Sequence, residues 1–282
     1  MKVISNIFKI IGGLILFFLL NNVIFFIVQL MGIKTPIVAL TMYSLVGICI
    51  ILILIKLFKF KLDLHTKLKD FNFLEILKLI VFFCIVINIF GFILIMLELN
   101  FFNDLYVKFL KNISELTKDI NGINSIIAIL LFVVITPIYE ELIFRKFTID
   151  LLRKNGEMTY FGIILFSGIL FGLVHAYPIS KVLFATLLGI ASAIIYVITD
   201  FKIIYSILMH FIYNLVPSIS EGIMKYILKM DNVTLQNSKE VIIAYTIMLV
   251  FLALVYLLLS FSKKGRSLKE ILTTIREKIK EQ

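Results

Sequence analysis

Two adjacent glutamates, an arginine four residues further on, two histidines and an asparagine have the types and spacing that suit proton transfer. They stand at Glu140, Glu141 and Arg145, at His175, and at His210 and Asn214, each within or at the end of a long apolar run. An ionisable group in such a run costs several kcal/mol unless it is paired, hydrated or functional. In Thr136-Pro137-Ile138-Tyr139-Glu140-Glu141-Leu142-Ile143-Phe144-Arg145, one helical turn separates Glu141 from Arg145. The acid lies on the N-terminal side, as such pairs prefer, and the two charges neutralise each other. Glu140 projects about 100° away around the helix and is left without a local partner. A carboxyl group so placed is suited to take and return a proton. An ion pair that serves only packing accounts for Glu141 and Arg145 but leaves Glu140 unexplained. Pro137 opens the helix locally and frees a carbonyl.

The histidines are weaker signals singly. Phe171 and His175 share a helix face, with Gly168 and Gly172 permitting close approach of a neighbouring helix. A lone helical histidine is more often a hydrogen-bonded structural group than a catalyst. His210 and Asn214, four apart, are able to act on one bound atom, although interhelical hydrogen bonding explains such a pair equally well. The remaining histidine, His65, sits in a charged loop, and Asn21, Asn22, Gln29 and Asn88 read as interhelical glue. Ser167 and Ser206 lie in apolar runs, but neither sits in a GxSxG turn and no His–Asp set accompanies them.

The elements that must position these residues are membrane helices. Of 282 residues, 61% are hydrophobic and 16% charged, against about 45–50% and 25% in soluble domains. Lipid must therefore be the solvent for most of the chain. Eight continuous apolar runs are long enough to cross a bilayer: 7–30, 37–58, 73–98, 125–148, 159–177, 181–199, 202–218 and 240–262. They are continuous rather than alternating, which selects helices over a barrel. The expected fold is all-α, a polytopic membrane helical bundle of about eight spans. It forms a single integral membrane domain over 1–282, with the chemistry-bearing core at 124–218.

The net charge of +10 sits between runs and at the C-terminus, where it meets anionic headgroups. No separate basic domain exists to hold nucleic acid. With the N-terminus inside, 18 Lys and Arg fall on that side against 8 outside, and Lys78 and Arg145 lie within spans. That bias predicts a multi-pass protein of the cell membrane with both termini cytoplasmic. The first run continues past Asn21 and Asn22 without a small-residue cleavage site and reads as an uncleaved span. Cys49 and Cys84 lie singly in apolar runs and offer no disulfide framework or CxxC site. Stretches from Phe102 to Ile120 and from Leu268 to Ile279 carry apolar residues at helical spacing. Either could lie flat on the membrane, and the second reads equally well as a frayed tail.

Spans four and five form a hairpin around Gly156, so Glu140 and His175 can meet at similar depth, about 24–29 Å along their helices. His210 lies eight residues from the turn at Asp200–Lys202, only about 12 Å along its helix. A tilt, a broken helix or a turn within the membrane must bring all three together.

At these residues the chain resembles the CPBP family, the CAAX proteases and bacteriocin-processing enzymes also called Abi. Its three motifs stand here as Glu140-Glu141-x-x-x-Arg145, Phe171-x-x-x-His175 and His210-x-x-x-Asn214, in the family's order and on separate spans. The resemblance covers about residues 124–218. It implies an intramembrane endopeptidase in which Glu140, aided by His175, activates a water. His210 and Asn214 would donate to the oxyanion, while Glu141 and Arg145 fix the helix and tune the field. Family members are commonly labelled metalloproteases, and Glu140, His175 and His210 would be the ligands of zinc or another divalent metal. The chain lacks HExxH, and a glutamate-activated water uses the same residues without metal, so both forms stay open. The partners implied are the lipid bilayer and a membrane-associated peptide or protein. That substrate would be a leader peptide, a bacteriocin-like peptide or a prenylated C-terminus. Two other classes use the same buried groups. One is a proton-coupled transporter, against which the chain shows no internal repeat. The other is a catalytically silent scaffold or immunity protein.

Overall fold

Runs of Ile, Leu, Phe and Val leave the backbone no water to bond in lipid, so each closes its own hydrogen bonds as a helix. A computed structural model of the chain describes residues 2–30, 36–59, 68–101, 123–154, 158–175, 178–224, 238–261 and 265–280, and among these there is no strand. The helices are α1 (Lys2–Leu30), α2 (Pro36–Leu57), α3 (Phe73–Phe101), α4 (Ile123–Leu130), α5 (Thr136–Glu141), α6 (Thr148–Arg153), α7 (Tyr160–Val174), α8 (Ile179–Ile198), α9 (Ile203–Gly222), α10 (Ser238–Phe261) and α11 (Leu268–Lys280). Two π-helical segments, Leu131–Ile135 and Leu142–Phe147, join α4 to α5 and α5 to α6.

Among the described residues, each of the eight apolar runs falls largely on helix. Six stretches of the described residues are long and apolar enough to cross a bilayer, and α2 and α7 contribute shorter apolar helices, Ser44–Leu57 and Tyr160–Val174. The chain is a multi-pass membrane protein. Its outward faces carry side chains such as Phe8, Leu258 and Phe261, a surface suited to lipid.

The fourth span is longer than its apolar run and is not one regular helix. It extends to Arg153, and Lys146 within it is buried with its Nζ 2.7 Å from Asp150 Oδ2. Each π segment adds a residue to a turn and rotates the helix beyond it, a feature frequent at functional sites. The second begins immediately after Glu141 and contains Arg145.

The tightest packing joins α7 to α8. A Cβ on Gly168 would stand 2.8 Å from the Ile190 nitrogen, and one on Gly172 would stand 2.8 Å from the Val182 oxygen. Gly189 faces the Gly168 backbone in turn, at 2.9 Å for a Cβ placed there. Only glycine lets these backbones approach so closely. The Thr159 hydroxyl starts α7 by accepting from the Gly162 amide at 3.2 Å. The turn into α9 places Asp200 and Phe201 at φ 56° and 61°.

The predicted amphipathic helix at the C-terminus forms but neither frays nor lies free on lipid. In α11, Ile271 and Ile275 are buried in the main core. Arg266 reaches back to Glu75 through Nε and Nη2, each at 3.1 Å, and Lys278 bridges Asp70 and Asp200 at 2.7 Å each. Bonding to Lys278 holds Asp70 below the usual carboxylate range. Burial opposes the charge of Lys278, but its bonds to Asp200 and Asp70 prevail and raise it. The stretch Phe102–Ile120 and the Gly156 turn lie outside the described residues.

Candidate active site

Adjacent carboxylates on one helix point to different surroundings, and here those surroundings assign them different work. Glu141 is fully buried. Its Oε2 lies 2.9 Å from Arg145 Nε and accepts from Ser192 Oγ at 2.7 Å. Its Oε1 accepts from Arg145 Nη2 at 3.3 Å and faces His210 Nδ1 at 3.0 Å. The Nε contact is an ion pair without hydrogen-bond alignment. Arg145, also fully buried, donates from Nη1 to Ser167 Oγ at 2.9 Å, and Ser167 donates to the Phe144 carbonyl at 2.7 Å. Both lone-pair regions of Glu141 are therefore occupied, and this carboxylate is a structural anchor tying α5 to α8 and α9.

Glu140 lies on the other side of the same helix. Its side chain is 17% exposed, with His210 Nε2 at 3.6 Å from Oε2. Together with His175, Lys181 and Tyr139 it lines a cavity of about 150 Å³ whose apolar wall comes from Leu14, Phe17 and Phe18 of α1, with Ile143, Phe144 and Val174. The cavity has room for several waters and polar partners to hold them.

His175 is not inside a helix, as the apolar run suggested, but caps the end of α7. Its Nδ1 lies 2.7 Å from the Phe171 carbonyl. A carbonyl only accepts, so Nδ1 is the donor, and in the neutral ring this tautomer leaves the lone pair on Nε2. The Phe171 ring, fully buried, is the platform under the site. It lies tilted against His175 at 4.5 Å between centroids, meets His210 edge-on at 5.6 Å and Phe144 at 5.1 Å, and carries the Arg145 guanidinium 5.1 Å from its centre.

The broken span and the capped helix end close the gap that straight helices would leave. Glu140 and His175 share the cavity, while His210 bridges the two glutamates from α9. Asn214 stands one turn further along α9, and its amide donates to the Phe132 carbonyl in the first π segment at 3.1 Å. That bond uses one of its two N–H groups. The Nδ1 atoms of His175 and His210 are engaged by the Phe171 carbonyl and Glu141, which leaves each Nε2 as the ring nitrogen that could meet a ligand; among the described residues no three His, Cys, Asp or Glu side chains are grouped closely enough to hold a metal ion.

Two participants escaped the sequence reading. Ser192 looked like any small polar residue of a span, and only its position facing Glu141 distinguishes it. Lys181 counted only as one of the outside charges at a span end, whereas it stands in the first turn of α8 and lines the cavity.

No curated protein and no solved structure matches the chain. Residues 122–216, about a third of the chain and containing all three motifs, match the family model described as Rce1-like, type II CAAX prenyl endopeptidase Rce1-like, a match consistent with the CPBP family.

Proposed function

We propose that the protein is an intramembrane endopeptidase that hydrolyses peptide bonds of membrane-associated peptides or proteins with a water activated by Glu140 and His175. The observation that carries this reading is the contrast between the two glutamates. Glu141 is saturated by Arg145, Ser192 and His210, whereas Glu140 opens with His175 onto a cavity large enough for water.

The chemistry follows from the hydrogen-bond directions. Water in the cavity bonds to the Glu140 carboxylate and to the His175 Nε2 lone pair. As the water oxygen attacks the scissile carbonyl carbon, Glu140 takes its proton and the carbonyl oxygen becomes an oxyanion. The second N–H of Asn214 and an Nε2–H of His210 donate to that oxyanion. Glu140 returns its proton to the leaving nitrogen as the C–N bond breaks, giving a carboxyl and an amine product. The low-dielectric surroundings strengthen each of these interactions.

The family match favours a prenylated C-terminus as substrate, with leader or bacteriocin-like peptides as the alternatives that a library would reveal. Orientation with both termini cytoplasmic remains part of the proposal, resting on the charge bias. The test is cleavage of a membrane-peptide library by the wild type and Glu140→Gln, with products read by mass spectrometry in the presence and absence of chelator.

A further inference from the structure

The turn between α8 and α9 holds a backbone that its own residues do not favour. Asp200 and Phe201 stand in succession at φ 56° and 61°, a region sparsely populated by residues other than glycine and least of all by bulky ones. The Phe201 amide donates to the Tyr196 carbonyl at 2.9 Å, closing a helix end whose left-handed position is usually glycine or asparagine. Such a conformation persists only where its surroundings over-determine it, and it concentrates at functional sites.

Here the surroundings are two cations from distant parts of the chain. Arg153, the last residue of α6, lies 3.6 Å over the centre of the Phe201 ring, while Asp150 Oδ1 holds its Nε at 3.3 Å. Lys278 of α11 donates to Asp200 Oδ1 and Asp70 Oδ2 at 2.7 Å each, and to the Ile198 carbonyl that ends α8 at 3.1 Å. Those three bonds use every donor of the ammonium. Partly exposed ion pairs contribute little to stability, so their convergence on one strained turn points to its geometry.

That geometry reaches the site through a closed circuit of contacts. The fourth span carries Glu141 and, at its far end, Arg153. Phe201 receives Arg153, and α9 starts two residues later and carries His210 seven residues on, about 10 Å along the helix. The circuit closes where His210 Nδ1 meets Glu141 Oε1 at 3.0 Å. A helix held at both points has one rotation and one depth.

Resting on the peptidase reading above, we propose that Arg153 and Lys278 are positioning residues that hold the Asp200–Phe201 turn and so aim His210 of α9 at the two glutamates. Neither touches the reacting atoms.

The test reads imidazole resonances of the full-length protein in micelles, labelled on histidine, whose members are His65, His175 and His210; His210→Gln assigns the last. Arg153→Met and Lys278→Met are each expected to move the His210 signal far more than that of His175. Each should also lower kcat about 10- to 100-fold at unchanged KM, for whichever library peptide the wild type cleaves, the scale of a misplacement of about 1 Å. Lys278→Arg should restore signal and rate. Phe201→Leu, which removes the ring that Arg153 covers, reads the same signal should a methionine variant fail to fold. An unmoved His210 signal in the folded variants overturns the assignment and leaves the peptidase reading standing. So does a moved signal at unaltered kcat, or equal movement of His175 and His210, the mark of general loosening. A folded wild type that cleaves nothing overturns the peptidase reading, while the His210 signal still decides whether the turn aims α9.

Discussion

Removing Arg145 should cost far more than removing an ordinary interhelical hydrogen bond. In Arg145→Met the side chain keeps much of its length but loses a contact at 2.9 Å to Glu141 Oε2, a bond at 3.3 Å to Oε1 and a bond at 2.9 Å to Ser167. Glu141 has no exposed surface through which water could take over. Breaking a buried ion pair by deleting one partner costs about 3–5 kcal/mol, because the other charge is left uncompensated. A hydrogen bond between membrane helices averages only about 0.6 kcal/mol, so the two mechanisms are well separated. Glu141→Gln should lose stability in the same range by stranding the guanidinium. The double variant should recover a large part, since a neutral pair strands neither charge. The assay is reversible denaturation in mixed micelles, followed by circular dichroism. A loss below about 1 kcal/mol for Arg145→Met, or strict additivity in the cycle, would refute the claim that this pair is a charge-compensated anchor.

Other expectations rest on the same geometry. Gly172→Ala sets a methyl 2.8 Å from the Val182 oxygen and 2.9 Å from Thr186 Cβ. Overpacking of this kind costs about 1–3 kcal/mol, read as a lowered unfolding midpoint. Adding Thr186→Ala should relieve only part of it, because the Val182 contact remains, and an unchanged midpoint for the single variant would contradict the close approach of α7 and α8. The α11 clasp should respond to pH at both extremes. Asp70, lowered in the folded chain, contributes stability above its unfolded value of about 3.9, lost as pH falls through the lower folded value. Lys278, raised in the folded chain, contributes below its unfolded value of about 10.4, lost as pH climbs through the folded one. Hydrogen-exchange protection of α11, corrected for the intrinsic rate, should therefore hold between these limits and fall outside them, and Lys278→Met should flatten the dependence.

What could be read from the sequence is what depends on composition and local spacing. Continuous apolar runs fixed the helices, the four-residue spacing fixed the Glu141–Arg145 pair, and the small residues Gly168 and Gly172 announced the α7–α8 contact. The π segments escaped because the same residues satisfy their backbone equally well one register apart. Without them, straight helices leave His210 at a depth unmatched to Glu140 and His175. The role of Ser192 was invisible because a serine in a span bonds to whatever its helix packs against. Lys181 misled because a charge near a span end is ordinarily solvated, and only the tertiary fold turns it inward. The docking of α11 turned on Arg266 and Lys278 finding acids some two hundred residues earlier or at the α8–α9 turn, which helical periodicity cannot encode.

The division of labour between adjacent glutamates is tested most directly by cleavage of a membrane-peptide library with purified wild type and Glu140→Gln, both shown to be folded, with and without chelator. The account predicts new peptide termini with the wild type, none with Glu140→Gln, near-equal unfolding midpoints for the two proteins and activity that survives chelation. Undiminished cleavage by the variant, or no product from either protein, would contradict it.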